Sequence, residues 1–394
     1  MSTCLTRRVP GNRALCACLL ALLPGLIQAH HGIANFDLNS DVELNGVINR
    51  VEFLNPHSWL HLSVTAADGA TVEWRCEMRG ATVLRRSGWS EAMFTPGSRL
   101  QVMGSPDRQD PTTCYLSTAT FADGSSVDRY GQLREPEPVS GQNRPAVLAN
   151  GQPNISGDWA AEQQVMTDPR GQMGTLVRLS QADSFAPGET PGGGPGFPGA
   201  RGTQISLAED PVDAYWNQRP TSLPLTEAGM AAIEGLDFSS GDNPRLRCAP
   251  TNILFDWYFE MDVNRVVQTP DQIRLLYGSM GIERTIHLNI SEHPAAIEPT
   301  VSGHSIGHWE DDVLIVDTIG FLPGILNADG RVPHSAELHV VERFSLDPAT
   351  MALRREYVAE DPSYFVGQFR GTDTMHPSDL PFHGTTDCDD RTYR

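Results

Sequence analysis

Alternating apolar and polar residues predict a small β-rich domain near the start of the chain, from His30 to Tyr130. The predicted elements are strands over Val42–Leu54, His57–Ala66, Thr71–Met78, Arg99–Met103 and Cys114–Phe121, with a short helix over Gly80–Arg86. The order β-β-β-α-β-β within about 90 residues is typical of an OB-like five-stranded barrel. In that topology the third and fifth strands are neighbours, so we expect Cys76 to lie near Cys114.

A second period-two pattern runs through residues 155–394 and predicts a larger all-β domain. Its predicted strands are Leu254–Met261, Gln272–Tyr277, Arg284–Asn289, Ser305–Trp309, Val313–Thr318, Glu337–Phe344 and Leu353–Ala359. Thr226 is a predicted helix N-cap, with Met230 and Ile233 on one face of that helix. A long antiparallel meander commonly closes into a lipocalin-like barrel that holds one small ligand. The fold class is therefore mainly β.

Low-complexity composition marks the boundaries between these domains. Residues 131–154 form a Pro/Gly-rich linker, and residues 186–202 form a Gly/Pro-rich insertion in the second domain. Residues 1–29 have the basic start, the short apolar run and the Ile27-Gln28-Ala29 site of a signal peptide, so we expect cleavage after Ala29. No later apolar run reaches the ~20 residues of a membrane span. The sequence thus predicts a periplasmic or secreted protein with no membrane anchor.

Charge and cysteine content narrow the possible chemistry. The net charge of −20 disfavours nucleic acid as a partner, and the absence of lysine excludes a Schiff-base lysine and a Walker-type phosphate loop. Four cysteines follow the leader, which permits three disulfide connectivities. Cys76–Cys114 and Cys248–Cys388 are favoured because each pair then stays within one predicted domain.

Histidines near the predicted cleavage site indicate a copper site. Cleavage after Ala29 makes His30 the first residue, and an amino-terminal histidine offers both its α-amine and its ring to one metal. A further imidazole completes a three-nitrogen set suited to Cu(II), the arrangement called a histidine brace. His57 is the favoured third ligand, and His31 and His61 are alternatives. His57, Trp59 and His61 share one face of the second predicted strand, opposite Leu60, Leu62 and Val64. The alternative is that these histidines bind no metal and lie in a solvated terminus and on a solvated strand face.

A second group of candidate residues lies in the larger domain. His304, Ile306 and His308 point the same way on an extended strand. If that face lined the barrel, either histidine could act as a general base, with Arg284 and Asp317 orienting or stabilising charge. The alternative functions are therefore a cofactor-free lyase, isomerase or hydrolase acting on a small molecule, and a binding module without chemistry. The leading hypothesis combines the copper site with a barrel that binds a small, partly apolar molecule, and leaves protein partners undetermined.

Several short motifs carry a resemblance to known families. The first domain resembles a family of uncharacterised exported bacterial proteins. The motifs are His30-His31-Gly32, Phe36-Asp37, Asn55-Pro56-His57-Ser58, Gly88-Trp89 and Pro96-Gly97. The second domain resembles another uncharacterised proteobacterial module, through Gly157-Asp158-Trp159, Gln268-Thr269-Pro270-Asp271, the run from Gly303 to Trp309 and Glu342-Arg343-Phe344. The resemblance implies export and a histidine near the mature amino terminus, and it implies no activity.

Overall fold

The computed structural model of the chain describes residues 36–384 except for a set of gaps, which are 38–39, 56, 67, 130, 132, 134–143, 163, 167–175, 179–222, 238–241, 245–248, 259–261, 328–330, 379 and 383. His30, His31 and the predicted Cys248–Cys388 pair lie outside the described residues. Within the described part of the chain, no helix has the length and apolar character needed to cross a membrane.

The first domain is the predicted five-stranded barrel. Its elements are β1 (Val42–Glu52), β2 (Trp59–Thr65), β3 (Thr71–Glu77), α1 (Ala81–Arg86), a 3₁₀ turn (Glu91–Met93), β4 (Arg99–Pro106), β5 (Thr113–Phe121) and β6 (Ser126–Asp128). The strands pair antiparallel in the order β3-β2-β1-β4-β5, and a parallel pairing of β3 with β5 closes the barrel. This is the OB-like order predicted from the sequence. The short strand β6, which extends the sheet beyond β5, was not predicted.

The core of the smaller barrel follows from the alternation along its strands. Leu60 and Leu62 are fully buried inside, as predicted, while Trp59 on the opposite face lies under the guanidinium of Arg75. The parallel register places Cys76 opposite Cys114, and the two form a disulfide with their Cα atoms 4.4 Å apart. The predicted Cys76–Cys114 pairing is confirmed.

The second domain is a closed barrel of nine strands. Its elements are β7 (Gly157–Ala161), β8 (Gln164–Met166), β9 (Leu176–Arg178), α2 (Glu227–Ile233), a 3₁₀ turn (Asp256–Tyr258), β10 (Val263–Gln268), β11 (Gln272–Leu276), β12 (Glu283–His287), β13 (His304–Glu310), β14 (Val313–Ile319), β15 (Gly324–Asn327), β16 (Val332–His334), β17 (His339–Leu346), β18 (Leu353–Glu360) and β19 (Phe369–Pro377). The barrel order is β10-β11-β12-β13-β14-β17-β18-β19-β7, and β8–β9 and β15–β16 are separate hairpins. The predicted barrel is confirmed, although β7, β10 and β19 were missed.

Two details of the second barrel differ from the predicted antiparallel meander. β12 and β13 run parallel, so residues 288–303 must cross from one end of the barrel to the other between them. β7, which comes before the Gly/Pro-rich insertion in the chain, closes the barrel by pairing with both β10 and β19. The remaining described pairings in this barrel are antiparallel.

The aromatic segment around Trp257 is not the strand that we expected. Asp256 accepts a hydrogen bond from the N–H of Thr251 at 2.6 Å, and the Asn252 side chain accepts one from the N–H of Leu254 at 2.8 Å. These side-chain acceptors replace a strand partner and fold the backbone into turns. Trp257 is consequently buried in the centre of the barrel, where its ring meets other aromatic rings edge-on, those of Tyr277 and Phe344.

The predicted N-cap of α2 is confirmed, because the Thr226 hydroxyl accepts a hydrogen bond from the N–H of Gly229 at 3.0 Å. The predicted common face of Met230 and Ile233 is wrong. Ile233 is buried, whereas Met230 is 58% exposed, because α2 is short and packs on the β15–β16 hairpin through one narrow edge.

Candidate functional site

His57 is held by a buried carboxylate in the smaller barrel. Its Nδ1 lies 2.9 Å from Oε1 of Glu77, the last residue of β3, and the His57 side chain is 19% exposed. Arg129 reaches the same carboxylate at 3.3 Å and also donates to the backbone carbonyl of Glu77. The ring therefore lies in close contact with an acid that is itself fixed, although Nδ1 is not aligned for a hydrogen bond with it. The second nitrogen, Nε2, remains for a ligand.

Electrostatics keep Glu77 ionised in this position. Burial alone would raise the pKa of its carboxyl, but the neighbouring His57 and Arg129 outweigh burial and hold that pKa below its ordinary value. Arg129 in turn lies over the ring of Tyr115 at 3.5 Å, and that ring is 5.2 Å from the ring of Phe36. The first described residue, Phe36, is thus linked to His57 by four contacts that pass through three intervening side chains.

His61 lies in a separate and more crowded setting. Its Nε2 is 3.3 Å from the guanidinium of Arg50 and 3.6 Å from Glu52, and its Nδ1 is 3.3 Å from Glu73. Burial and the positive charge of Arg50 lower the pKa of this imidazole below its ordinary value. As predicted, His61 and Trp59 share the face opposite the core, but the strand begins at Trp59 and leaves His57 on the preceding turn. Each of the two histidines therefore has its own carboxylate partners.

Arg284 points into the larger barrel, where its Nε and Nη2 atoms have partners and its Nη1 atom has no hydrogen-bond partner among the described residues. Its Nε donates to Ser305 at 2.8 Å, its Nη2 donates to Thr318 at 2.8 Å, and it forms a buried ion pair with Glu342. Arg355 reaches the other oxygen of Glu342 at 3.2 Å, so one carboxylate joins two arginines. The network lies among the buried core residues of the barrel.

His304 and His308 lie on the outer face of the larger barrel, so the condition under which either would act as a general base inside it is not met. Strand alternation turns Ser305 and Gly307 inward, so His304, Ile306 and His308 face outward. The His308 side chain is 63% exposed and pairs with Glu310 at 3.1 Å. Arg284 is inside the wall while these histidines and Asp317 are outside it, so the four predicted catalytic residues do not meet at one point.

The outer wall of the larger barrel carries a histidine cluster, which we define as His287, His293, His304, Asp317 and His339. Asp317 accepts from His293 at 2.8 Å through one oxygen and from His339 at 2.7 Å through the other. His293 Nδ1 lies 2.8 Å from His304 Nδ1. The His287 ring stacks on the His304 ring, with centroids 5.2 Å apart and planes inclined by 17°. Of these residues, the sequence analysis identified only His304 and Asp317.

Hydrogen bonds and burial set the charges of this cluster. The hydrogen bond from His339, together with that from His293, lowers the pKa of Asp317, and the same contact with Asp317 raises the pKa of His339. Burial and the nearby imidazoles His293 and His287 lower the pKa of His304. The cluster therefore combines a carboxylate whose ionised form is favoured, one histidine that is protonated more readily than usual and one that is protonated less readily than usual.

Among the described residues, no group of three or more His, Cys, Asp or Glu side chains converges as a preformed metal site. The predicted ligands His30 and His31 are outside those residues, and His57 and His61 have different partners. The described part of the chain thus supplies a single oriented histidine for the predicted copper site.

Comparison with known families gives one match. Residues 19–115 match a family of unknown function, DUF6152, and this stretch includes β1 to β4, His57, His61 and Glu77. The expected resemblance of the first domain to an uncharacterised family is confirmed in that form, and the resemblance of the second domain remains an expectation. Comparison with curated proteins and with solved structures gives no match.

Proposed function

We propose that the smaller barrel binds Cu(II) through the amino group and ring of His30 and the ring of His57. The observation that carries the proposal is the 2.9 Å contact between His57 Nδ1 and the buried carboxylate of Glu77. Metal-ligating histidines usually direct their second nitrogen at a carboxylate, which fixes the tautomer and makes the ligating nitrogen more basic. Here that partner is in place, and Nε2 is the nitrogen left for copper.

The length of the chain is compatible with this ligand set. Phe36 is linked to His57 through Tyr115, Arg129 and Glu77, and His30 precedes Phe36 by six residues. Six extended residues reach at most about 20 Å from Phe36. The strongly acidic chain also favours a cation over an anion as its ligand.

His57 is a better third ligand than His61. Both ring nitrogens of His61 already face charged groups, and one of those groups is the guanidinium of Arg50. A copper ion at His61 would be brought close to that positive charge. His31 stays an alternative ligand from the same terminal segment.

The test is copper binding by the protein exported through its own leader, with its amino terminus read by mass spectrometry and no affinity tag on either end. We expect an amino terminus at His30 and one tightly bound tetragonal Cu(II) whose EPR spectrum shows nitrogen ligands. His57→Gln is expected to weaken binding by more than about 100-fold, because loss of a supporting residue alone costs roughly 10–100-fold. His61→Gln is the matched control, and we expect its affinity to stay within about threefold of the native protein.

A second variant tests the terminal amine. The four residues Gly-Ser-Gly-Ser placed before His30 remove the chelate between its α-amine and its ring. They keep both terminal histidines beyond the third position, so no new amino-terminal chelate forms, and they leave the barrel untouched. Tight binding that survives this addition, or that survives His57→Gln, contradicts the proposed ligand set. The urea midpoint of each variant shows whether a loss of copper reflects a loss of fold.

The lyase, isomerase or hydrolase alternative gains no geometric support. It needs His304 or His308 beside Arg284, and the barrel wall separates them. The small, partly apolar ligand of the larger barrel stays a prediction from the fold class.

A further inference from the structure

The histidine cluster on the outer wall of the larger barrel takes no part in the proposed copper site of the smaller barrel. Four of its members belong to adjacent strands, since His287 ends β12, Asp317 lies in β14, and His304 and His339 begin β13 and β17. His293 comes from the crossing segment between β12 and β13. The parallel pairing of those two strands therefore brings a fifth side chain onto the wall.

Two imidazole nitrogens in this cluster are spaced like neighbouring ligands of one metal ion. His293 Nδ1 and His304 Nδ1 are 2.8 Å apart, and their rings are inclined by 68° with centroids 5.1 Å apart. Two nitrogens bound to one ion at about 2.0 Å and at a right angle to each other are about 2.8 Å apart. That angle is the one preferred by Cu(II) and Ni(II) in tetragonal nitrogen sites. A metal ion bound to both nitrogens would therefore keep their present separation. It would replace the hydrogen bond between them and lie beside the line that joins them, so each ring would turn towards it.

The residues that would orient these ligands are already in contact with them. Asp317 binds the other nitrogen of His293 at 2.8 Å, and His339 holds the second oxygen of Asp317 at 2.7 Å. This carboxylate–histidine contact leaves Nδ1 of His293 as the ligand nitrogen. The His287 ring, stacked on His304, limits rotation of the second ligand.

We infer that His293 and His304 form a two-imidazole site for a divalent transition metal with tetragonal preference, Cu(II) or Ni(II). Asp317 is a positioning residue, and water supplies the remaining ligands because no third His, Cys, Asp or Glu of the described chain converges there. The site lies on the outer wall of the barrel, so the metal is open to exchange with solvent and to a further ligand from outside the protein. It differs in this respect from the three-nitrogen site proposed in the smaller barrel.

The experiment uses the full chain with the first site disabled, by His57→Gln together with the four residues Gly-Ser-Gly-Ser before His30. Cu(II) is the probe, and EPR counts the nitrogen ligands of the bound ion. We expect one remaining Cu(II) with two imidazole nitrogens. His304→Gln and His293→Gln are each expected to weaken this binding at least about tenfold, and Asp317→Asn roughly 10–100-fold.

His308→Gln is the matched control, because His308 lies on the same strand and face as His304, two residues further on, and is more exposed. We expect it to leave the copper affinity and the spectrum unchanged. The inference is overturned if His304→Gln and His293→Gln both bind copper as the parent does, or if His308→Gln has the same effect as they do. His304 lies in a barrel strand, so His304→Gln could lower copper binding by lowering stability. His293 lies in the segment between two strands, so the copper affinity of His293→Gln tests the ligand role without that complication. The outcome does not depend on whether the first site exists, since the parent variant lacks it.

Discussion

Arg355 is the most consequential buried charge in the larger barrel, and replacing it by methionine tests how far the ionic network supports the fold. The side chain is fully buried. It donates to Asp373 at 2.5 Å and to Glu342 at 3.2 Å, and it also caps the backbone carbonyls of Ile253 at 3.0 Å and Leu254 at 2.8 Å. It therefore ties two barrel strands to the turn that carries Trp257.

The expected magnitude follows from what Arg355→Met leaves behind. Methionine keeps most of the apolar stem, so the loss of packing is small, but the guanidinium that pairs with two buried carboxylates is gone. Removing one partner of a buried ion pair costs about 3–5 kcal/mol. Glu342 retains Arg284, whereas Asp373 loses the arginine that it contacts through both oxygens. We expect the free energy of unfolding of this barrel to fall by about 3–5 kcal/mol.

The assay is urea unfolding of the whole chain, followed by tryptophan fluorescence and by near-ultraviolet circular dichroism. Trp257 lies 5.8 Å from the guanidinium, so its signal reports on this barrel. Arg354→Met is the matched control, because Arg354 is the neighbouring residue, is 54% exposed and pairs with Glu356 on the surface. That control is expected to cost less than about 1 kcal/mol. If Arg355→Met costs no more than Arg354→Met, the network does not support the barrel and the reasoning is refuted.

Three further predictions concern stability. Replacing Cys76 and Cys114 by alanine is expected to destabilise the smaller barrel by about 4 kcal/mol, because the disulfide closes a loop with a sequence separation of 38. Equal urea midpoints for the oxidised and the reduced native protein would contradict this prediction. Burial lowers the pKa of His334 from its ordinary 6.5, so its uncharged ring stabilises the fold fully above about pH 6.5, and this contribution is lost as the pH falls below that value. His334→Asn should therefore show a smaller loss of stability than the native protein between about pH 7.5 and about pH 5.5 in urea unfolding, and an equal loss would count against burial as the cause. Thr226→Ala removes the N-cap of α2 and is expected to cost about 1 kcal/mol, measured as local hydrogen exchange in that helix, with no change in exchange as the contrary result.

The smaller barrel was predictable because its signals are local. Each strand from Val42 to Phe121 has a clear alternation and ends at a turn, and a single topology accommodates that order. The larger barrel was harder, since its closing strands β7 and β19 are distant in sequence and each pairs with partners that no local pattern specifies. The apolar run before β10 predicts a strand by its composition. The structure has turns there because Asp256 accepts a backbone hydrogen bond, and a single acid of this kind leaves no periodic pattern in the sequence.

The candidate sites show the same division. The common face of His304 and His308 follows from alternation alone, but both walls of a closed sheet alternate equally, so the sequence does not tell inside from outside. The partners of His304 depend on the crossing segment, and a parallel strand pair within a meander leaves no local mark. His57 precedes β2, whereas its buried partner Glu77 is the last residue of β3. No rule of sequence spacing predicts that these two residues meet.

The way β7 closes the larger barrel also has a consequence for the order of folding. Ala161 of β7 pairs with Met375 of β19, more than 200 residues later, so this domain cannot be completed until nearly the whole chain has been synthesised. The smaller barrel closes when β5 ends at Phe121. Contacts between distant residues slow folding, because a long loop must lose entropy before the contact forms. The smaller barrel is therefore expected to fold early and alone, while the strands of the larger one keep unpaired edges until β19 arrives.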